Sequence, residues 1–169
     1  PLLMKTLNTI LMLILICGPS ITFAQDKAIN YKELQKYLPS EIMGYSPSND
    51  VDGNSFEMNG MSYSTAVQDY KKGNSKLTIS IIDYHGATNL YTAATMAWSM
   101  GMSYEDDDKK AGGIEIDDFK GWHVYEKKEK ASELVLAFKE RYIITIVVTD
   151  VSEGFSKSIL KASELDRLP

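Results

Sequence analysis

A chain of 169 residues with 44% hydrophobic and 24% charged residues has the size and composition of one globular domain, alone or with an appendage. A net charge of −5 argues against general nucleic-acid binding, which needs clustered Lys and Arg against phosphate. One Cys and two His leave little material for thiolate, zinc or imidazole chemistry.

The first 24 residues read as a secretory signal peptide. Lys5 supplies the basic start, Ile10 to Ile16 form an unbroken apolar run, and Gly18 and Pro19 break it. Thr22 and Ala24 are the small residues a signal peptidase needs, and the polar Gln25-Asp26-Lys27 follows. The apolar run is shorter than the roughly 20 residues of a spanning helix, so no stable transmembrane anchor is expected after cleavage. Ile16 before Cys17 is too large for lipidation of that cysteine. The run ending Phe23-Ala24-Gln25 resembles export signals of Gram-negative bacteria, which implies a periplasmic or extracellular protein. Met4-Lys5 looks like the start of translation. Removing residues 1–24 also removes Cys17 and Lys5, so the remainder, 25–169, is a single cysteine-free domain, more acidic by one charge.

Asn30 with Glu33 three residues on has the pattern of a capping box opening a short helix that Pro39 ends, with Ile29 and Leu34 placed as a hydrophobic staple. Residues 44–60 are rich in Gly, Ser, Asn and Asp and read as a loop, with at most a short strand near Phe56. Met61 to Lys71 and Lys76 to Tyr84 alternate with period two, and the turn Lys72-Gly73-Asn74 joins them as an antiparallel hairpin. Leu90, Ala93, Ala94, Ala97 and Met100 recur at helical spacing and predict a helix to about Gly101 with a small-residue face toward a sheet. Residues 103–118 read as an acidic, Gly-containing connection. Strands are expected at 121–127, 133–139 and 141–150, the last apolar on both faces and so central. Asp150 and Glu153 cap a final helix with Phe155, Ile159, Ala162 and Leu160 or Leu165 inward.

These elements predict an α+β domain: an antiparallel sheet of about five strands with helices packed on one face, in the order α-β-β-α-β-β-β-α. The layout, with the phrase Tyr37-Leu38-Pro39-x-x-Ile42-x-Gly44-Tyr45 ahead of the sheet, resembles the small exported domains related to the PsbP extrinsic photosystem subunit and mycobacterial lipoproteins of similar size. That resemblance implies a non-enzymatic, accessory role and carries over no functional residue.

Few residues offer chemistry. His85, in Asp83-Tyr84-His85-Gly86 between strand and helix, is the one candidate for a hydrolase base. His123 falls on the strand face opposite Trp122 and Val124 and reads as a surface or cross-strand residue. Neither a Gly-x-Ser-x-Gly elbow nor a phosphate loop occurs. Contiguous carboxylates at Glu105-Asp106-Asp107-Asp108 do not converge on one cation and are followed by Lys109 and Lys110. Ser48 to Gly53 lacks the first and last ligands of a calcium loop. Met96, Met100 and Met102 are candidate thioether ligands for copper(I), although Met more commonly fills gaps between helix and sheet. Tyr84, His85, Trp122 and Tyr125 are candidate ligand-binding residues on strands. No cofactor is expected. The expected function is an exported binding domain, more plausibly not an enzyme, whose partner is a protein, lipid or glycan and not nucleic acid. Metal handling through Met96–Met102 and hydrolysis through His85 are the alternatives.

Overall fold

The computed structural model describes residues 27–96, 98 and 101–169. Residues 1–24, the expected signal peptide with Cys17 among them, and Ala97 and Met100 of the expected helix face lie outside the described residues. In chain order the described residues form α1 (Tyr31–Leu34), β1 (Ser46–Pro47), β2 (Asp52–Met58), β3 (Met61–Lys72), β4 (Ser75–Gly86), α2 (Thr88–Thr95), β5 (Ser103–Glu105), β6 (Lys109–Ile116), β7 (Phe119–Glu126), β8 (Ala131–Phe138), β9 (Tyr142–Val148) and α3 (Phe155–Ala162). Single 3-10 turns follow α1 at Gln35–Tyr37 and α3 at Leu165–Arg167.

The nine strands make one antiparallel sheet, ordered β1-β3-β4-β9-β8-β7-β6-β5, with β2 also paired to β3. β1 lies against Tyr70–Lys71 and β2 against Met61–Val67, so the two share the outer edge of β3. The chain then crosses from β4 to the far edge and returns as the meander β5 to β9, which brings β9 beside β4. β9 is interior, and its Tyr-Ile-Ile-Thr-Ile-Val-Val sequence buries residues on both faces.

This overturns the expected five-strand α+β layout: the fold is mostly β. β2 and β6 were read as a loop and an acidic connection because both are edge or near-edge strands. Both are held by main-chain pairing; β2 exposes most of its side chains, so Gly, Ser and Asn stand where apolar alternation would mark an interior strand, and β6, with no fully buried residue, carries Gly112-Gly113 at its middle. Helix α2 is also corrected. It ends at Thr95 and buries none of its residues. Leu90, Ala93 and Ala94, the expected inward face, are exposed, while Tyr91, Thr95 and Trp98 are the half-buried ones. The capping pair at α1 is half present. The Asn30 side chain accepts from the Lys32 N–H at 3.0 Å, but the Glu33 carboxylate takes Lys36 at 2.6 Å instead of reaching back. Helix α3 begins at Phe155, after Gly154, with no side-chain cap from Asp150 or Glu153.

The main core cluster lies on one face. Leu34, Leu38, Ile42 and Tyr45 from the N-terminal side and Ile159, Leu160, Leu165 and Leu168 from the C-terminal side pack in one cluster with Ile79, Ile81, Leu134, Leu136, Ile144 and Ile146 of the sheet. Burying a Leu or Ile side chain is worth about 1.5–3 kcal/mol, so the short terminal elements are held by these contacts and not by helix propensity. The opposite face carries Thr65, Val67, Ile82, Thr145, Val147, Val135, Trp122 and Val124, all half-buried.

Candidate functional site

The corner Asp83-Tyr84-His85-Gly86 is a β-bulge. Ser64 pairs with Asp83 and Ser62 with Gly86, so Tyr84 and His85 stand opposite the single residue Tyr63. Asp83, just before the bulge, continues the buried alternation of Leu77, Ile79 and Ile81 and is fully buried. Its carboxylate accepts from Arg141 Nε at 2.8 Å, Arg141 Nη2 at 2.7 Å, the Ile29 N–H at 2.8 Å and the His85 N–H at 2.9 Å. A carboxylate with four donors is committed to holding the N-terminal segment and β9 onto β4, not to orienting the imidazole of His85 for hydrolysis. Tyr84 turns to the open face, where its ring lies 6.2 Å from that of Tyr63, which stacks on Phe56 at 5.1 Å.

The candidate binding residues do not form one cluster. Trp122 shares the open face with Tyr84, but β9 and β8 lie between their strands. Tyr125 is on the core face of β7 and donates to the Val151 carbonyl at 3.1 Å. Met96 and Met102 are exposed, 70% and 54%. Among the described residues no group of three His, Cys, Asp or Glu is placed to hold a metal ion.

The acidic run is a tied turn. Asp106 Oδ1 accepts the N–H groups of Asp108 and Lys109 at 2.9 and 2.7 Å, and the Tyr104 phenol donates to Asp106. That phenol, then the two backbone donors, hold the Asp106 carboxyl below its ordinary range. Lys127 pairs with Glu105 at 3.0 Å and Lys128 with Asp108 at 2.6 Å. These carboxylates are occupied by cations of the same chain.

His123, expected as a surface or cross-strand residue, is buried at 7% exposure and meets β8 across the ladder. Its Nε2 lies 3.0 Å from Ser132 Oγ, which lies 2.6 Å from Ser156 Oγ and 3.2 Å from the Glu153 carbonyl. Both serines are fully buried. The arrangement has a base beside a hydroxyl but no access for a substrate, and the hydroxyl is also within reach of the Glu153 carbonyl. Burial, then the nearby Lys157, push the imidazole below its usual range, so it is neutral at pH 7.

No family model, no curated protein and no solved structure matches this chain.

One further feature lies in the connection between the two halves of the sheet. All nineteen residues from Gly86 to Tyr104 are uncharged, in a chain that is 24% charged. Of the seven large apolar side chains exposed among the described residues, four lie there: Leu90, Met96, Met102 and Tyr104. Between this connection and the β6–β7 hairpin is a cleft of about 490 Å³, lined by Thr95 and Trp98 on one side and Gly113, Ile114, Glu115 and Lys120 on the other. Helical spacing in the sequence marks the apolar residues of α2 but not which side of the helix meets the sheet. The charge map, read for its gap instead of its clusters, was the available signal.

Proposed function

We propose that the protein is an exported, non-enzymatic accessory domain that docks a partner protein along the uncharged connection Gly86–Tyr104 and the adjoining open face of the sheet. The carrying observation is the concentration of exposed apolar side chains in a segment free of charge. An exposed apolar patch of this kind marks an interaction surface more often than a solvated loop, and Met side chains adapt to a partner's contours. A protein fits better than a membrane. Thr88, Asn89, Thr92 and Ser103 interleave neutral hydrogen-bonding groups with the apolar ones, and the connection carries no Lys or Arg to meet anionic headgroups. The export reading rests on Lys5, the run Ile10–Ile16 and Thr22-Phe23-Ala24. It predicts a mature chain beginning at Gln25, which N-terminal sequencing of the secreted or periplasmic fraction checks. Against catalysis stand the committed carboxylate of Asp83 and the buried hydroxyl of Ser132.

A photo-crosslinking residue placed at Met96 in the producing cells tests the docking surface. One discrete protein adduct is expected, and Leu90→Glu in the same chain should abolish it without lowering the melting temperature, because Leu90 is 38% exposed. An absent adduct, an adduct with lipid, or one indifferent to Leu90→Glu overturns the reading.

A further inference from the structure

We propose that His123 is an acid-sensitive latch on the first turn of α3: when the imidazole gains a proton, the segment Gly154–Lys157 loosens from β7 and β8 while the rest of the helix stays docked.

The geometry is a short polar chain through an otherwise apolar interface. His123 on β7 meets Ser132 on β8, and Ser132 meets Ser156 on α3, at 3.0 and 2.6 Å. A neutral imidazole has one N–H and one lone pair, so Nε2 can donate to the Ser132 hydroxyl or accept from it, and the chain can run in either direction. A protonated ring has no lone pair. Nε2 must then donate, the Ser132 hydroxyl is left to the Glu153 carbonyl at 3.2 Å, and the added positive charge sits buried under the turn that carries Lys157.

The charges around the ring set the sign. Lys157 on α3 and Lys110 on β6 both oppose a proton on His123, while the Glu153 carboxylate and carbonyl, in the loop before α3, favour it. Glu153 is itself engaged by Lys110 at 2.9 Å, and that contact holds its carboxyl below the ordinary range. It therefore stays ionised while His123 titrates, and the imidazole is the one group of this set whose charge changes between pH 5 and 7. Burial and Lys157 outweigh Glu153, so the folded ring titrates below the ordinary value of 6.5. A group depressed in this way binds its proton more readily once released. The docked state is therefore favoured fully above pH 6.5 and loses ground as pH falls below it. The change stays local because Ile159, Leu160, Leu165 and Leu168 remain in the core cluster, which a single proton cannot dislodge.

Amide hydrogen exchange at pH 7.5 and 5.5, expressed as protection factors so that intrinsic pH dependence is removed, tests this. Protection of the Phe155 N–H, which donates to the Ser152 carbonyl at 3.1 Å, and of amides 158–161, which close the first helical turn, is expected to fall at least fivefold at pH 5.5, with β9 unchanged. In His123→Gln, whose side chain stays neutral and can still reach Ser132, the fall should vanish. Lys157→Gln should shift its midpoint upward. Should His123→Gln fail to fold, NMR titration of the wild-type ring decides the matter, because the His123 imidazole and the Ser156 amide must share one midpoint below 6.5. Protection indifferent to pH, a loss spread evenly over the sheet, a loss that survives in His123→Gln, or separate midpoints would overturn the latch.

Discussion

Replacing Asp83 with alanine is expected to lower the unfolding free energy by about 3–5 kcal/mol, the cost of removing one half of a buried ion pair. The partner left behind, Arg141, is itself largely buried, with 17% of its side chain exposed. The loss reaches further than the pair, because the same carboxylate holds the Ile29 N–H and the His85 N–H. Three separated pieces of chain therefore depend on one side chain: the entry to α1, the bulge at the end of β4, and the start of β9. Asp83→Asn keeps an acceptor but no charge, and should fall between wild type and Asp83→Ala. Urea denaturation with matched slopes reads the difference. A shift under about 1 kcal/mol would show that the exposed-pair estimate applies here, and that the bulge is held by strand pairing alone. Exposed pairs such as Lys36–Glu33 serve as the contrast, since removing them should leave the midpoint where it was.

The strands that carry the core were legible, and the reason is physical. β3, β4 and β8 each bury alternate residues, so solvent on one side and packing on the other impose period two on the sequence, while interior β9 shows as a nearly continuous apolar run. The edge of the sheet obeys a different rule. β2 is satisfied by main-chain pairing to β3 and exposes most of its side chains, so Asp52-Gly-Asn-Ser-Phe-Glu-Met carries turn residues in a strand. The five expected strands leave out β1, β2, β5 and β6, and so a mostly β sheet of nine reads as α+β.

The polar chain at His123 was half legible. Alternation alone places His123 on the face of β7 that also holds Gly121 and Phe119, both buried, and opposite to Trp122. What the sequence does not carry is register. Ser132 falls beside His123 only because β7 pairs with β8 as Tyr125↔Ser132 and His123↔Leu134, and Ser156 arrives from a helix twenty-four residues beyond Ser132. The same limit kept Tyr84, Trp122 and Tyr125 together as candidates. Their spacing in sequence says nothing of the two strands between Tyr84 and Trp122, or of the opposite faces on which Trp122 and Tyr125 lie.

Two glycines on adjacent strands of the sheet should respond to the same substitution in opposite ways. Neither has a positive φ, so space alone decides. A methyl group on Gly121 would lie 1.9 Å from the Val135 carbonyl oxygen and 2.9 Å from Leu136 Cα, both backbone atoms of β8. No rotamer change relieves that contact, so the ladder that carries the core residues Leu134 and Leu136 must separate. The expected cost of Gly121→Ala is about 3 kcal/mol, at or above the upper end for overpacked cores. Gly113, on β6 opposite Trp122, has nothing within 4 Å of its Cβ position. There alanine reduces the freedom of the unfolded chain without a native penalty, and a gain of about 0.4–1 kcal/mol is expected. Thermal or urea denaturation of the two variants side by side checks the pair. Equal effects would place β7 and β8 further apart than the ladder Gly121↔Leu136 requires, and with them the seat of His123 against Ser132.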